Sequence, residues 1–203
     1  MALSKAQKQT QQIVDAALEL AEQSRWEAVR LHQISAHTGI PLSDIHHLFG
    51  EKEDLIDAWF DRADQALLKV ANAPGFLTKT MAERLHTLLM AWLDALAGHR
   101  KATRDMVWGK LEPGHLHYQI NGLLRVSRTV QWWREAAGLT TTLPLRAFEE
   151  VALTGIYLAT FVYWMCDETE NSSATQRFLH DRLEQAGRCR CPTSEVDSKP
   201  QVR

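Results

Sequence analysis

Apolar residues recur at intervals of three and four positions along most of the chain. This spacing places them on one face of an α-helix, whereas a half-buried strand shows strict alternation. Ile13, Ala17 and Leu20 give an early example, and Leu89 and Leu96 belong to a later one. No run of the sequence alternates apolar and polar residues between turn signals. The pattern predicts an all-α protein of about nine helices.

Two short helices joined by a tight turn follow the first helix. Their inner-face positions are Leu31, Ile34, Ile45, Leu48 and Phe49. Thr38-Gly39 interrupts the pattern between them, and Pro41 stands where a helix can begin, because its missing N–H is not needed in the first turn. Three short helices with a glycine in the turn are typical of a helix-turn-helix module, whose second paired helix enters a major groove.

Longer helical segments make up the rest of the chain. They begin at Glu51, cover about 81–98 and 101–111, run from Pro113-Gly114 to Ala137, and start again at Pro144. The last helix has Ser173 and Gln176 at the spacing of a capping box, in which two side chains satisfy free backbone donors. These segments predict a larger C-terminal helical bundle.

Composition and charge narrow the class of protein. The chain has 203 residues, 45% of them hydrophobic, and a net charge of −2, so a contact with nucleic acid must be local. The three cysteines offer no disulfide framework, and Met1 to Thr10 lacks the apolar region of a signal peptide, so we expect a cytoplasmic protein. The longest uncharged run, Val151 to Cys166, is shorter than the roughly 20 apolar residues of a spanning helix and predicts a buried one.

The segment from Ile13 to Leu55 resembles the N-terminal module of the TetR family of transcriptional regulators. The matching positions are Ile13, Asp15, Ala16, Ala17, Leu18, Leu20, Trp26, Leu31, Ile34, Gly39, Ile40, Ile45, Phe49, Lys52, Glu53 and Leu55. Glu51 stands where the family has Ser. The resemblance implies a regulator, usually a repressor, that binds a palindromic operator as a homodimer. It also implies that a small apolar ligand in the C-terminal body releases the DNA.

The resemblance divides the chain into three parts. We predict a helix-turn-helix DNA-binding domain over 1–55, a helical ligand-binding and dimerisation domain over 56–187, and a disordered polar tail over 188–203. The DNA-contacting residues that it implies are Leu42, Ser43, Asp44, His46, His47 and Lys52, with Lys5 and Lys8 in an N-terminal arm.

The predicted DNA-contacting face departs from the family pattern. Leu42, Asp44 and His46 stand where family members commonly have Lys, Thr and Tyr. Residues 1–55 contain five basic and eight acidic side chains, a net charge of −3. Because attraction to phosphate supplies most non-specific DNA affinity, this charge also fits a face that no longer binds DNA.

A second resemblance supports that alternative. The segment from Tyr157-Leu158-Ala159 through Trp164 to Asp167 is similar to the end of the ubiquinone-biosynthesis accessory lipid-binding family. Further matching positions are Ser173, Thr175, Phe178, Leu179, Arg182 and Leu183. This resemblance implies a TetR-like fold that holds isoprenoid lipids and contacts a membrane or a partner enzyme without binding DNA.

Aromatic and methionine residues concentrate in the predicted body. They suggest an apolar pocket between helices for a small effector or lipid. The candidate pocket residues are Trp92, Met106, Trp108, Tyr118, Trp132, Phe161 and Trp164, and Arg125 is placed to meet an acidic ligand head. Packing of these residues in an ordinary core is the alternative.

A stripe of small residues marks a candidate dimer interface. Ala152, Gly155 and Ala159 share one helix face and allow another helix to approach closely. With Phe178, Leu179 and Leu183 of the last helix, they predict a four-helix interface across a two-fold axis. Packing within one subunit is the alternative.

Catalytic and metal-binding patterns are missing from the sequence. No Gly-rich phosphate loop or catalytic triad stands out, and His115 and His117 lie on different sides of a helix. We therefore expect no metal, no cofactor, no enzymatic activity and no stable insertion into a membrane.

Overall fold

A computed structural model describes residues 4–110 and 116–189, except for the side chains of 110, 116–121 and 189. Nine α-helices form the described part of the chain, which contains no strand. They are α1 (Lys5–Gln23), α2 (Leu31–Thr38), α3 (Leu42–Leu48), α4 (Asp54–Ala71), α5 (Met81–Leu96), α6 (Arg100–Lys110), α7 (Leu116–Ala137), α8 (Leu145–Met165) and α9 (Ser173–Cys189). The all-α prediction is confirmed.

The N-terminal module packs α1 against α2 and α3. Ser4 and Gln7 begin α1 with a capping box, in which each side chain accepts the other residue's backbone N–H, at 3.2 and 2.8 Å. Ile13, Ile34 and Ile45 contribute one fully buried side chain from each helix. This shared core holds α3 on the other two helices and leaves its opposite face outward.

The turn between α2 and α3 depends on Gly39. Its backbone has the left-handed φ of 71°, and its N–H donates to the Ser35 carbonyl at 2.9 Å. The Ser35 hydroxyl donates to the Ile40 carbonyl at 2.7 Å and closes the turn. As predicted, Pro41 immediately precedes α3.

Helix α4 begins at Asp54 rather than at the predicted Glu51. Residues 51–53 form a turn, in which the Glu51 N–H donates to the Asp54 carboxylate at 3.0 Å. The helix then crosses the predicted boundary between 55 and 56 and packs against α5 and α7. One continuous helix therefore carries the chain from the module into the body.

Helix α5 lies at the centre of the body and contacts α4, α7, α8 and α9. Leu88, Leu89, Leu93 and Leu96 on this helix are fully buried. The uncharged run from Val151 to Cys166 forms most of α8, which buries one face of its surface. Within the described residues, every helix is too short or too polar to cross a membrane.

The start of α9 corrects one local prediction. Asp167 and Thr169 cap this helix, because the Asp167 carboxylate accepts from the Thr175 N–H at 2.8 Å and the Thr169 hydroxyl accepts from the Ala174 N–H at 3.0 Å. The predicted capping box of Ser173 with Gln176 is not formed, since the Gln176 amide donates to the Asn171 carbonyl. Helix α9 also continues to Cys189, past the predicted start of the tail at 188. The rest of the predicted tail lies outside the described residues.

Candidate DNA-binding surface and aromatic core

The outer face of α3 presents most of the predicted DNA-contacting residues together. Leu42, Ser43, His46 and His47 are exposed and follow one another on the same side of the helix, opposite the fully buried Ile45. Asp44 is half-buried and accepts a hydrogen bond of 3.4 Å from the Ser43 hydroxyl. A short helix anchored on one side and exposed on the other fits the groove-reading position of a helix-turn-helix.

Lys52 faces the protein rather than the solvent beside α3. Its ammonium donates to the Trp26 carbonyl at 2.6 Å and lies 4.8 Å from the centre of the Trp26 ring. Burial lowers the pKa of this amino group, while the carboxylates of Glu27 and Glu53 oppose that shift. These contacts join the turn before α4 to Trp26, and the phosphate contact expected of Lys52 stays a prediction.

The remaining basic residues of the module are distributed unevenly. The Arg30 guanidinium donates to the carbonyls of Glu27 and Val29. Lys5 and Lys8 lie exposed in the first turns of α1, and Arg25 lies exposed between α1 and Trp26. Histidines occupy the helix-turn-helix itself, and the His37 ring makes a 3.0 Å hydrogen bond with the Glu19 carboxylate.

Five aromatic rings form a continuous cluster inside the body. Phe60 on α4 stacks on Trp92 of α5 at 5.8 Å between ring centres, and Trp92 contacts Tyr157 and Phe161 of α8 at 5.3 and 5.4 Å. Phe161 also stacks on Trp164 at 5.9 Å. The structure therefore brings the predicted pocket residues of α5 and α8 together, and it adds Phe60 and Tyr157, which the sequence pattern did not single out.

Other predicted pocket residues lie apart from this cluster. Trp108 and Trp132 are 53% and 49% exposed at the surface. Met106 is buried in the core. The side chain of Tyr118 lies outside the described residues.

A buried ion pair adjoins the aromatic rings. The Arg125 guanidinium on α7 donates to the Asp64 carboxylate on α4 at 2.8 Å and also to Asp61. Asp64 accepts two further hydrogen bonds, from Trp92 Nε1 at 2.8 Å and from the Thr129 hydroxyl at 3.0 Å. Burial raises the pKa of Asp64, while the Arg125 charge and these hydrogen bonds oppose the shift. The Arg125 guanidinium, which the sequence placed to meet an acidic ligand, is paired here with carboxylates of the protein. This pairing joins α7 to α4.

Some buried polar atoms in this region have no hydrogen-bond partner among the described residues. They are Arg125 Nε, the Thr160 hydroxyl and Trp164 Nε1. Such atoms are uncommon in native interiors, because each costs roughly 1–3 kcal/mol when left unsatisfied. They are available to a ligand that carries hydrogen-bonding groups.

An open cleft of about 460 Å³ lies elsewhere, between α5 and α9. Its lining includes the charged or polar side chains of Lys79, Glu83, His86, Arg177 and His180. This polar cleft is separate from the aromatic cluster and does not correspond to the predicted apolar pocket.

The outer face of α8 is apolar along its length. Ala152, Gly155 and Ala159 are exposed, as a dimer contact requires. Phe148 and Val151, each 74% exposed, extend the same face together with Leu158 and Val162. The sequence did not indicate these larger residues as interface residues, because large apolar side chains on a helix are ordinarily buried in the core.

The predicted interface residues of α9 lie in a different setting. Phe178 is half-buried and stacks on Tyr163 of α8, with 4.6 Å between the ring centres. Leu179 and Leu183 are buried within their own chain. Of the three, Phe178 is therefore the residue that lies nearest to the exposed apolar face.

No group of three or more potential metal ligands occurs within 4–110 and 116–189, so far as their side chains are described.

Comparison with solved structures relates the whole chain to regulators. A TetR transcriptional regulator from Nitrosomonas europaea ATCC 19718 shares 51% identity, with a TM-score of 0.80 over 89% of this chain and 98% of that one. A TetR regulator from Rhodococcus sp. RHA1 has 16% identity and a TM-score of 0.61 over 87% and 96% of the two chains. FadR from Bacillus subtilis, in complex with stearoyl-CoA, has 18% identity and a TM-score of 0.56 over 85% and 96%. The last two likenesses concern the fold alone.

Two other comparisons complete this result. The sequence profile of the COQ9 family matches residues 151–190, about a fifth of the chain, near its C-terminus. Comparison with curated proteins gives no match. The three solved relatives are described as transcriptional regulators and not as enzymes. Because the Nitrosomonas protein is half identical over nearly the full length, this chain belongs to the TetR family of transcriptional regulators.

Proposed function

We propose that this regulator binds operator DNA as a homodimer, represses transcription and releases the DNA when a small apolar ligand enters its body. The main support for this proposal is the outer face of α3, where Ile45 anchors the helix in the core. Four side chains of this face are exposed, namely Leu42, Ser43, His46 and His47. This arrangement supports entry of α3 into a major groove, with Lys5 and Lys8 of α1 reaching the backbone.

Dimerisation rests on the apolar face of α8. The helix has 21 residues and is therefore about 30 Å long. A single chain leaves Phe148, Val151, Leu158 and Val162 on this face in contact with water. Packing the same face of a second copy across a two-fold axis removes them from water, and the small Gly155 and Ala159 let the two helices approach closely.

The effector site rests on the aromatic cluster and the atoms beside it. Phe60 on α4, together with Trp92, Phe161 and Trp164, supplies flat apolar walls. Binding requires these rings to move apart, which shifts α4. The helix-turn-helix of α2 and α3, the reading head of the regulator, then moves with it. A ligand thus changes DNA affinity only by the difference in its affinity for the two arrangements.

Operator binding is tested by fluorescence anisotropy with labelled duplexes from the DNA flanking the gene, against a scrambled duplex. The informative variant is Ser43→Glu, because an acid in the first turn of α3 favours the helix dipole while repelling phosphate. We expect at least about a tenfold loss of affinity, and Ser173→Glu in the first turn of α9 serves as the matched control. Equal affinity for operator and scrambled duplexes at low salt would overturn the proposal.

A second function, lipid binding without DNA, is favoured by the match of residues 151–190 to the COQ9 family. That match covers α9 and all but the first six residues of α8, and it includes the aromatic residues Tyr157, Phe161 and Trp164. Mass spectrometry of organic extracts from the purified protein tests it. An isoprenoid lipid retained by a protein that does not discriminate the operator would support this alternative over repression.

A further inference from the structure

The helix-turn-helix carries no permanent positive charge. Residues 31–48, from the start of α2 to the end of α3, contain four histidines and one aspartate but neither lysine nor arginine. Their net charge is −1 when the imidazoles are neutral and +3 when all four are protonated. Imidazole is the side chain that ordinarily gains its charge between about pH 5 and 8.

The basic residues of the rest of the module, Arg25 among them, lie outside α2 and α3, and two of them are engaged by backbone carbonyls. The Lys52 ammonium is held by the Trp26 carbonyl at 2.6 Å, and the Arg30 guanidinium is held by the carbonyls of Glu27 and Val29. Lys5 and Lys8 lie on a different helix, at the far N-terminal turns of α1. Within α2 and α3 themselves, positive charge can therefore come only from the histidines.

The surroundings decide which histidines are available. His46 and His47 are exposed on α3, where Asp44 is the neighbouring charged group. On α2, His32 is exposed, while the His37 ring makes its 3.0 Å hydrogen bond with Glu19 of α1. His37 therefore already has a partner within the protein.

We infer that operator binding is linked to proton uptake by His46 and His47, so that this regulator holds DNA more tightly as the pH falls. The inference rests on the proposed DNA-binding function. A protonated imidazole donates hydrogen bonds from both ring nitrogens and meets the phosphate charge directly. By linkage, phosphate favours the protonated ring as much as the protonated ring favours phosphate.

The test measures anisotropy with the operator duplex at about pH 8, 7 and 6, at constant ionic strength and over a series of salt concentrations. One proton taken up per complex raises affinity about tenfold per pH unit, so we expect at least a tenfold gain over the range. The dependence of log affinity on log salt should also steepen, by about 0.9 for each new phosphate contact.

Three variants assign the effect. His46→Gln with His47→Gln should give weak binding that no longer varies with pH, and His46→Lys with His47→Lys should bind tightly at every pH. His180→Gln on α9, an exposed histidine outside the module, should behave as the parent protein. Circular dichroism at each pH shows that all variants remain helical.

Each failure has a distinct signature. Specific operator binding with the same affinity at every pH would overturn the inference and leave the proposed function standing. Persistence of the pH dependence in the glutamine double variant would also overturn it, because the protons would bind elsewhere. Failure to discriminate the operator at any pH would overturn the proposed function and the inference together.

Discussion

The ammonium of Lys52 makes contacts within the protein that the sequence resemblance did not indicate. Sequence resemblance places it among the DNA-contacting residues, whereas its described contacts are the Trp26 carbonyl and the face of the Trp26 ring. These contacts fasten the turn before α4 to the turn after α1. The residue therefore supports the module from within.

Replacing this side chain should weaken folding of the module. Lys52→Ala removes a charge-assisted hydrogen bond at a half-exposed position, so we expect a loss of about 1 kcal/mol in the free energy of unfolding. Urea denaturation followed by circular dichroism measures it, with Lys69→Ala, an exposed lysine of α4, as the control. Unchanged stability, accompanied by weaker DNA binding, would instead restore Lys52 to the role of a phosphate contact.

Gly39 allows the left-handed backbone conformation on which the turn of the helix-turn-helix depends. No atom lies within 4 Å of the position that a Cβ would take, so the φ of 71° alone makes a side chain costly. Gly39→Ala should cost about 1 kcal/mol of unfolding free energy, and Gly39→Asn should cost less because Asn tolerates this conformation. Equal unfolding midpoints for the two variants would contradict this account.

At the level of helices, the buried ion pair joins elements that the chain order keeps far apart. Arg125 of α7 contacts Asp64 of α4, which in turn accepts from Trp92 of α5. Because α4 begins beside the reading head, this contact ties the position of that helix to the packing of the body.

Removing the Arg125 guanidinium should leave the buried Asp64 carboxylate without the positive charge that compensates it. Arg125→Met should cost about 3 kcal/mol of unfolding free energy at neutral pH. Arg128→Met, one turn away and exposed, is the matched control and should lie within about 0.5 kcal/mol of the parent.

The pH dependence of this loss follows from the direction of the pKa shift. Burial raises the pKa of Asp64, so the folded chain holds this proton more tightly than the unfolded chain. The free energy of unfolding that protonated Asp64 contributes is then fully present in acid. It is lost as the pH rises through the folded-state pKa of this carboxyl. Without Arg125 the opposing attraction disappears, so the destabilisation should grow from acid to neutral pH. An equal loss at both values would show that the attraction to Asp64 does not carry the effect.

Helices were predictable because their signals are local. Gly39 and Pro41 marked the turn, and the recurrence of apolar residues located the nine helices. Trp132 and Trp133 of α7 show the limit of such local signals. Trp132 is half-exposed, whereas its neighbour Trp133 is fully buried. Which neighbour faces the core depends on how α7 packs against α5, and residue counts carry no such information.

Site chemistry was less predictable because its contacts are distant in sequence. The hydrogen bond from Lys52 to Trp26 joins the segments that precede α4 and follow α1, and the pair of Arg125 with Asp64 joins α7 to α4. In the sequence, Lys52, Arg125 and Asp64 each resemble an ordinary surface charge. Only the packing of the helices shows that the two basic side chains are engaged within the protein.

For the whole molecule, the apolar face of α8 and the charge of the reading heads have to work together. A palindromic operator offers two half-sites, and linking two heads makes the second contact intramolecular. A single head with few basic residues near the groove gains most from this arrangement. Dimer formation is consequently a requirement for useful affinity in the proposed mechanism.

Val151 offers the sharpest test of that requirement, because it is one of the most exposed apolar residues of the α8 face. Val151→Asp places a charge where the second copy would bury it, so light scattering after size exclusion should give a monomer at micromolar concentration. Leu77→Asp is the matched control, since Leu77 is 70% exposed on a turn outside the α8 face. The monomer should retain its helical circular dichroism but bind the operator at least about 100-fold more weakly. A parent protein that is itself monomeric, or a Val151→Asp variant that remains dimeric, would show that this face is not the one that brings the two reading heads together.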